Sequence, residues 1–135
     1  MKILVTGANG FMGHGIIKEL SESGNEIVVS DFTDFTYGYK NVSSVAGNLF
    51  EIENPFEHFG KPDVLVHLAW RDGFKHASEN HILDLPKHYE FLKKMVYGGV
   101  KKLVVLGSMH EVGFHEGSVN ENTPCNPLSL YGIAK

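Results

Sequence analysis

The chain has 135 residues, is 42% hydrophobic and carries a net charge of −4. That describes one domain with enough apolar mass for a core and no basic surface to attract nucleic acid. Its longest basic runs are the pairs Lys93-Lys94 and Lys101-Lys102, its apolar runs are too short to span a bilayer, and its single cysteine, Cys125, excludes an internal disulfide. These features point to a cytoplasmic chain with no nucleic acid and no membrane among its partners.

The first element is Ile3-Leu4-Val5, whose length and β-branched content suit a buried parallel strand. It runs into Thr6-Gly7-Ala8-Asn9-Gly10-Phe11-Met12-Gly13. A helix is expected from Phe11, with Met12, Ile16 and Leu20 at intervals of four and Phe11 and Ile17 beside them, while Lys18, Glu19 and Glu22 face water. Gly24 closes it, and a second strand over residues 26–30 leads to Asp31. Strand, glycine turn, helix, strand and terminal carboxylate within about 30 residues make the dinucleotide-binding unit. Gly7 allows the tight turn, Gly10 lets the backbone approach a pyrophosphate, and Gly13 lets helix and strand pack closely. The helix N-terminus offers unpaired N–H groups to the phosphates. Asp31 is placed to accept from both adenosine ribose hydroxyls and to repel a 2′-phosphate, which selects NAD over NADP.

Residues 32–43 are rich in Thr, Tyr, Gly and Asn and read as a loop. A short strand is expected over residues 44–46, followed by Gly47-Asn48-Leu49. Asn54-Pro55 starts a helix that Phe56 and Phe59 pack down and that Gly60 and Pro62 end. Val64-Leu65-Val66 is the next buried strand and runs into His67-Leu68-Ala69-Trp70, with His67 a core histidine whose ring is satisfied. Residues 77–97 are expected to be helical, with Pro86 breaking or restarting the ladder and Tyr89, Leu92, Met95 and Val96 as the apolar stripe, stopped at Gly98-Gly99. Residues 102–106 form the fifth strand and deliver Gly107-Ser108 to the carboxyl edge of the sheet, where open α/β sheets place their chemistry. A long polar loop leads to Tyr131-Gly132-Ile133-Ala134-Lys135, in which phenol and ammonium share one helix face.

The histidines give no metal centre. His110 and His115 are five residues apart across a glycine, whereas a zinc-protease helix needs His-Glu-x-x-His. His76, His81 and His88 fall at intervals read as sharing no face, hence as solvated.

The spacing Thr-Gly-x-x-Gly-x-x-Gly, followed by a serine at a strand end and Tyr-x-x-x-Lys, resembles the extended short-chain dehydrogenase/reductase superfamily, in particular its NAD-dependent nucleotide-sugar epimerase/dehydratase branch. The resemblance runs over essentially the whole chain. It implies an α/β doubly wound parallel sheet with strand order 3-2-1-4-5, NAD as cofactor, and a chain that stops just after the Tyr-x-x-x-Lys helix begins. Cofactor contacts would come from Gly7, Asn9, Gly10, Phe11, Met12 and Gly13 in the loop and from Asp31. Asn48 and Leu49 would lie at the adenine, where the family usually has Gly-Asp-Leu. Leu68, Ala69 and Trp70 would border the phosphates and the nicotinamide ribose. Trp70 departs from the family's His-Leu-Ala-Ala; covering the cofactor, closing the sugar pocket and plain packing are all open to it. The family's usual Asn at the head of the long helix falls on Asp84.

The resemblance makes Tyr131, Lys135 and Ser108 the catalytic residues. The ammonium of Lys135, also bonded to the nicotinamide ribose, would favour the phenolate of Tyr131, which takes a proton from a sugar hydroxyl as hydride leaves the same carbon. Ser108 would bind the same oxygen. An alternative alignment puts Met109 in the hydroxyl's place, and Ser108 is preferred because a thioether offers no useful hydrogen bond. The implied function is that of a UDP-sugar 4-epimerase or close relative. A nucleotide-sugar reductase or dehydratase, and a non-catalytic dinucleotide-binding module, stand as alternatives. As the N-terminal part of such an enzyme, lacking the C-terminal substrate domain, the 135-residue chain is expected to turn over no sugar nucleotide alone. Its apolar surface near Leu103 and Val105 would be open to water, a patch that drives association, as in a homo-oligomer, or disorder.

Overall fold

The computed structural model describes residues 1–135. Nine regular elements follow in order: β1 (Lys2–Thr6), α1 (Phe11–Glu22), β2 (Glu26–Ser30), β3 (Val42–Ser44), α2 (Pro55–His58), β4 (Val64–His67), α3 (Asn80–Gly98), β5 (Lys102–Val105) and α4 (Leu130–Ala134). Short 3₁₀ turns occupy Leu49–Glu51 and Met109–Glu111. The chain divides into two compact units, one of Met1–Ala69 with His88–Leu106, the other of Trp70–Lys87 with Gly107–Lys135.

The first unit holds one five-stranded parallel sheet in the order β3-β2-β1-β4-β5, as the family pattern implies. Its core follows from the two-residue period of a strand. Ile3, Val5, Ile27 and Val29 point to one face and pack with Ile17 of α1 and Ala8, while Leu4, Val28 and Leu65 point to the other and pack with Phe59, Phe91, Met95 and Val100. Each large apolar side chain buried in this way contributes about 1.5–3 kcal/mol.

Four local expectations are corrected. The buried side of α1 is Gly13 and Ile17, with Leu20 half-buried, whereas Phe11 is 94% exposed and Met12 is exposed too. Both stand in the first turn of the helix. The third strand begins at Val42, two residues before the expected start, because Ile27 N–H donates to Asn41 O and brings Val42 into register with Ile27. The long helix begins at Asn80 rather than 77 and passes through Pro86 unbroken. Pro86 is exposed, so water can serve the carbonyl it leaves without a donor. The start is set by Asp72, whose carboxylate accepts from Ser78 Oγ at 2.8 Å and Asn80 Nδ2 at 2.7 Å.

The fourth correction concerns the histidines. His81 and His88 are 1% and 6% exposed, and with Asp84, Phe91 and Met95 they form the buried side of α3, whereas Tyr89 and Val96 are exposed. A spacing of seven residues is two helical turns and returns to the same face. His67 is buried as expected: its Nδ1 lies 2.7 Å from Thr6 Oγ1 and its Nε2 2.9 Å from His88 Nδ1. All four residues of β5 are exposed, Leu103 and Val105 among them.

Candidate functional site

The carboxyl ends of β1, β2 and β4 assemble the first part. Gly7 has φ +70°, and a Cβ there would stand 2.5 Å from Ala69 N. Only glycine permits both the turn and this approach of the loop to Leu68 and Ala69. A Cβ on Gly13 would run into the carbonyl of Ala8, so Gly13 is required by the packing of helix against loop. Gly10 differs. Its φ of −73° and ψ of 168° suit any residue, and a Cβ there would meet only Gly7 O at 3.2 Å. The backbone itself sets no conformational demand for glycine at this position.

Hydrogen-bond donors lie next to Gly10. Gly10 caps α1 without a side chain, no acid stands in the first turn, and the N–H groups of Phe11 and Met12 lack intrahelical acceptors. A twelve-residue helix with a bare positive end beside a glycine is the arrangement that receives a pyrophosphate. Asp31 sits at the tip of β2, where Oδ2 accepts from Asn9 N–H at 2.9 Å and Oδ1 from Phe32 N–H at 2.8 Å. The remaining lone pairs of this carboxylate are what ribose hydroxyls would use.

Like the Asp31 carboxylate, the side chains of Asn9 and Asn48 are already engaged. Asn9 donates through Nδ2 to Thr33 O at 3.0 Å, and its Oδ1 lies 3.1 Å from the Tyr37 hydroxyl, which donates to Ala8 O at 2.7 Å. Asn9 therefore ties the glycine loop to residues 32–37. Nothing in the sequence around Tyr37 marks this contact, since the residue falls in the loop of residues 32–43. Its ring packs with His14 and Phe35, and burial, helped by the Asp31 carboxylate, raises its pKa above the usual phenol value. Asn48 caps the turn Leu49–Glu51, accepting from Phe50 N–H at 3.1 Å and donating to Glu51 Oε1 at 2.8 Å. Leu49 is buried in the core.

The second unit carries Trp70, Ser108, Tyr131 and Lys135. Ser129 starts α4, accepting from Gly132 N–H at 3.1 Å, and Tyr131 N–H donates to His76 O at 3.0 Å. The Tyr131 ring lies along the His76 imidazole with centroids 5.4 Å apart and 18° between planes, and His81 and His110 pack on it at 5.1 and 5.3 Å. Lys135 Nζ stands 4.5 Å from the centre of the Trp70 ring. Burial pushes the Lys135 ammonium below the ordinary lysine range, with the Glu111 carboxylate opposing.

Ser108 begins the turn Met109–Glu111 with a capping box: its Oγ accepts from His110 N–H at 3.2 Å and its N–H donates to Glu111 Oε1 at 2.6 Å. An acceptor in that bond, the Oγ keeps its own proton to donate. Met109 is exposed.

Asp84, where the family has Asn, is buried and paired with Arg71 and with Lys87 at 2.8 Å. Burial works to raise its pKa, but the hydrogen bonds from Lys87 and Arg71 outweigh it and hold the carboxyl below its usual value. A depressed folded value means stability present above the unfolded pKa of about 3.9 and lost as pH falls through the folded one. Acidification below about pH 4 should therefore loosen the second unit. Near-ultraviolet circular dichroism of Trp70, the sole tryptophan, reads this; a signal unchanged down to pH 2 would refute the pairing.

The NAD dependent epimerase/dehydratase family model matches residues 3–135, and the chain belongs to that family. It is 37% identical over its whole length to the dTDP-6-deoxy-L-talose 4-dehydrogenase (NAD(+)) of Aggregatibacter actinomycetemcomitans, of which it covers 52%. It resembles the UDP-glucose 4-epimerase of Thermotoga maritima with a TM-score of 0.83 at 24% identity, covering 100% of this chain and 48% of that one. The Bordetella bronchiseptica enzyme WbmG, solved with NAD, gives a TM-score of 0.78 at 25% identity over 99% of this chain and 46% of that one. The chain thus spans about half the length of the curated relatives it matches. No helix is long and apolar enough to cross a membrane.

Proposed function

We propose that the protein catalyses NAD-dependent oxidation and reduction at C4 of a nucleotide-linked hexose. What supports this is that one chain carries both Gly10, where an added Cβ would meet only Gly7 O, at the bare end of α1, and Tyr131 and Lys135 on a short capped helix. Bound NAD supplies the acceptor and donor of hydride. The N–H groups of Phe11 and Met12 bind the pyrophosphate, Asp31 takes the adenosine ribose, and Leu68 and Ala69 border the cofactor beside Gly7. Tyr131 removes the proton from the C4 hydroxyl and returns it. Lys135 favours the phenolate, and the Ser108 hydroxyl donates to the C4 oxygen.

Two net reactions fit this chemistry. In a 4-epimerisation the keto-sugar turns and is reduced on its other face, so no reduced cofactor accumulates. In a 4-dehydrogenation it leaves. The 37% identity to a 4-dehydrogenase of a dTDP-sugar favours the second, and the likeness in fold to a 4-epimerase is compatible with the first. Incubating the full-length protein with NAD and UDP- or dTDP-hexoses separates them: absorbance at 340 nm rises with turnover for dehydrogenation, while epimerisation changes the sugar without it. A chain that binds NAD and alters no sugar nucleotide would instead be the non-catalytic module.

Cofactor choice is tested at Asp31. Wild type is expected to prefer NAD(H) to NADP(H), and Asp31→Ala to narrow that preference by roughly 1–3 kcal/mol, the scale of a charged hydrogen bond or a relieved repulsion. Because Asp31 also holds Asn9 N–H and Phe32 N–H, the variant should weaken both dinucleotides as well. Calorimetry showing wild type to bind NADP(H) as tightly as NAD(H) would contradict the assignment.

A further inference from the structure

Trp70 is not a residue the proposed chemistry needs, yet it sits among those it does. Its Nε1–H donates to His81 Nδ1 at 3.0 Å, and the two rings lie nearly parallel, 12° apart with centroids separated by 6.2 Å. An imidazole that accepts at Nδ1 carries its proton on Nε2, and that nitrogen lies 3.0 Å from Lys75 O, an acceptor only. His81 is therefore neutral, uses both nitrogens, and is almost fully buried. The indole is held at its N–H edge by a nearly coplanar ring whose own two nitrogens are both engaged.

Tyr131 and Lys135 also meet the Trp70 ring. Tyr131 approaches it edge-on at 6.5 Å, and the Lys135 ammonium stands over it at 4.5 Å. A lysine has four rotatable side-chain bonds and no intrinsic reason to keep its ammonium in one place. Glu111, the carboxylate that pulls on Lys135, is tied through Oε1 to Ser108 N–H. The aromatic face is what the ammonium rests on, and a partly desolvated cation gains most from such a face.

We propose that Trp70 is a positioning residue for Lys135: its indole face, fixed by His81, holds the ammonium where it serves Tyr131. This rests on the role given to Lys135 above. It assigns Trp70 to the lysine, in place of a direct contact with cofactor or sugar. It also gives the buried His81 a function, that of orienting the indole through a hydrogen bond.

Two measurements on the full-length protein test it. In the first, lysines are reductively methylated with ¹³C and the Lys135 resonance is assigned by its absence in Lys135→Arg. The indole face should move that resonance upfield, Trp70→Phe should keep part of the shift, and Trp70→Leu should abolish it. A Lys135 resonance at the position of the exposed lysines in wild type overturns the proposal. The second is a double-mutant cycle on kcat. Trp70→Leu should lower kcat about tenfold or more in the wild-type background and less than about twofold in Lys135→Met, with Trp70→Phe recovering part of the loss. Equal losses in both backgrounds would mean that Trp70 acts on the cofactor or the sugar directly and would overturn the assignment. Absence of turnover in wild type would refute the proposed function, while the Trp70-dependent resonance would still show whether indole and ammonium meet.

Discussion

Gly10→Val should lose at least about a hundredfold in NAD affinity, near 2.7 kcal/mol, and keep its fold. The two halves of this expectation come from different observations. The fold tolerates a side chain because the backbone of Gly10 is in an ordinary extended conformation and the only neighbour is Gly7 O at 3.2 Å, which needs to yield by a few tenths of an ångström. A valine is a poorer helix cap than glycine, at a cost of about 1 kcal/mol. Binding should not tolerate it, since the added methyl groups would fill the place proposed for the phosphate oxygens at the N–H groups of Phe11 and Met12. Neighbouring glycines give the control. Gly13→Val drives a side chain into the Ala8 carbonyl, and Gly7→Val combines a positive φ with a Cβ 2.5 Å from Ala69 N, so both should destabilise the protein outright. Thermal melts and NAD titration of the three variants distinguish the cases. If Gly10→Val binds NAD within threefold of wild type, the loop is a turn and not a cradle.

Those three glycines also mark what was legible in the sequence. β1, the glycine loop, α1 and β2 follow one another with short local signals, and each strand's apolar period agrees with a sheet covered on both faces. The strand order could be carried over because the whole pattern matched a family. α3 was harder. Its buried side in the N-terminal half is His81, Asp84 and His88, polar residues satisfied by Trp70, by Arg71 and Lys87, and by His67. A search for an apolar stripe selects Tyr89 and Val96 instead, which are exposed. The interval of seven between His81 and His88 was the available signal, read on its own terms as two turns.

The residues around Tyr131 were legible as chemistry and not as surroundings. Tyr-x-x-x-Lys is written in five consecutive residues, whereas the histidines that pack on Tyr131 come from positions 76, 81 and 110, and their meeting depends on the tertiary fold. Trp70 belongs to the same class. As a departure from the family pattern it carries three readings in the sequence, and its bond to His81 and the ammonium over its face come only with the tertiary fold.

Tyr131→Phe should lower turnover by about 10²–10⁴, the range for losing a general acid and base, with little change in stability. What makes this variant informative is how the residue is held. Tyr131 N–H donates to His76 O, α4 is capped by Ser129, and the ring packs on His76, His81 and His110 through its face and edges. None of these contacts needs the hydroxyl, so phenylalanine keeps them all and a fall in kcat reports the lost proton transfer. Lys135→Met should behave differently. It removes the charge proposed to favour the phenolate and the bond proposed to the nicotinamide ribose, so it should lower kcat and weaken NAD together. Comparing the two at saturating NAD in the full-length protein tests the division of labour directly. Turnover by Tyr131→Phe within twofold of wild type would remove Tyr131 from the reaction, whatever the fold around it suggests.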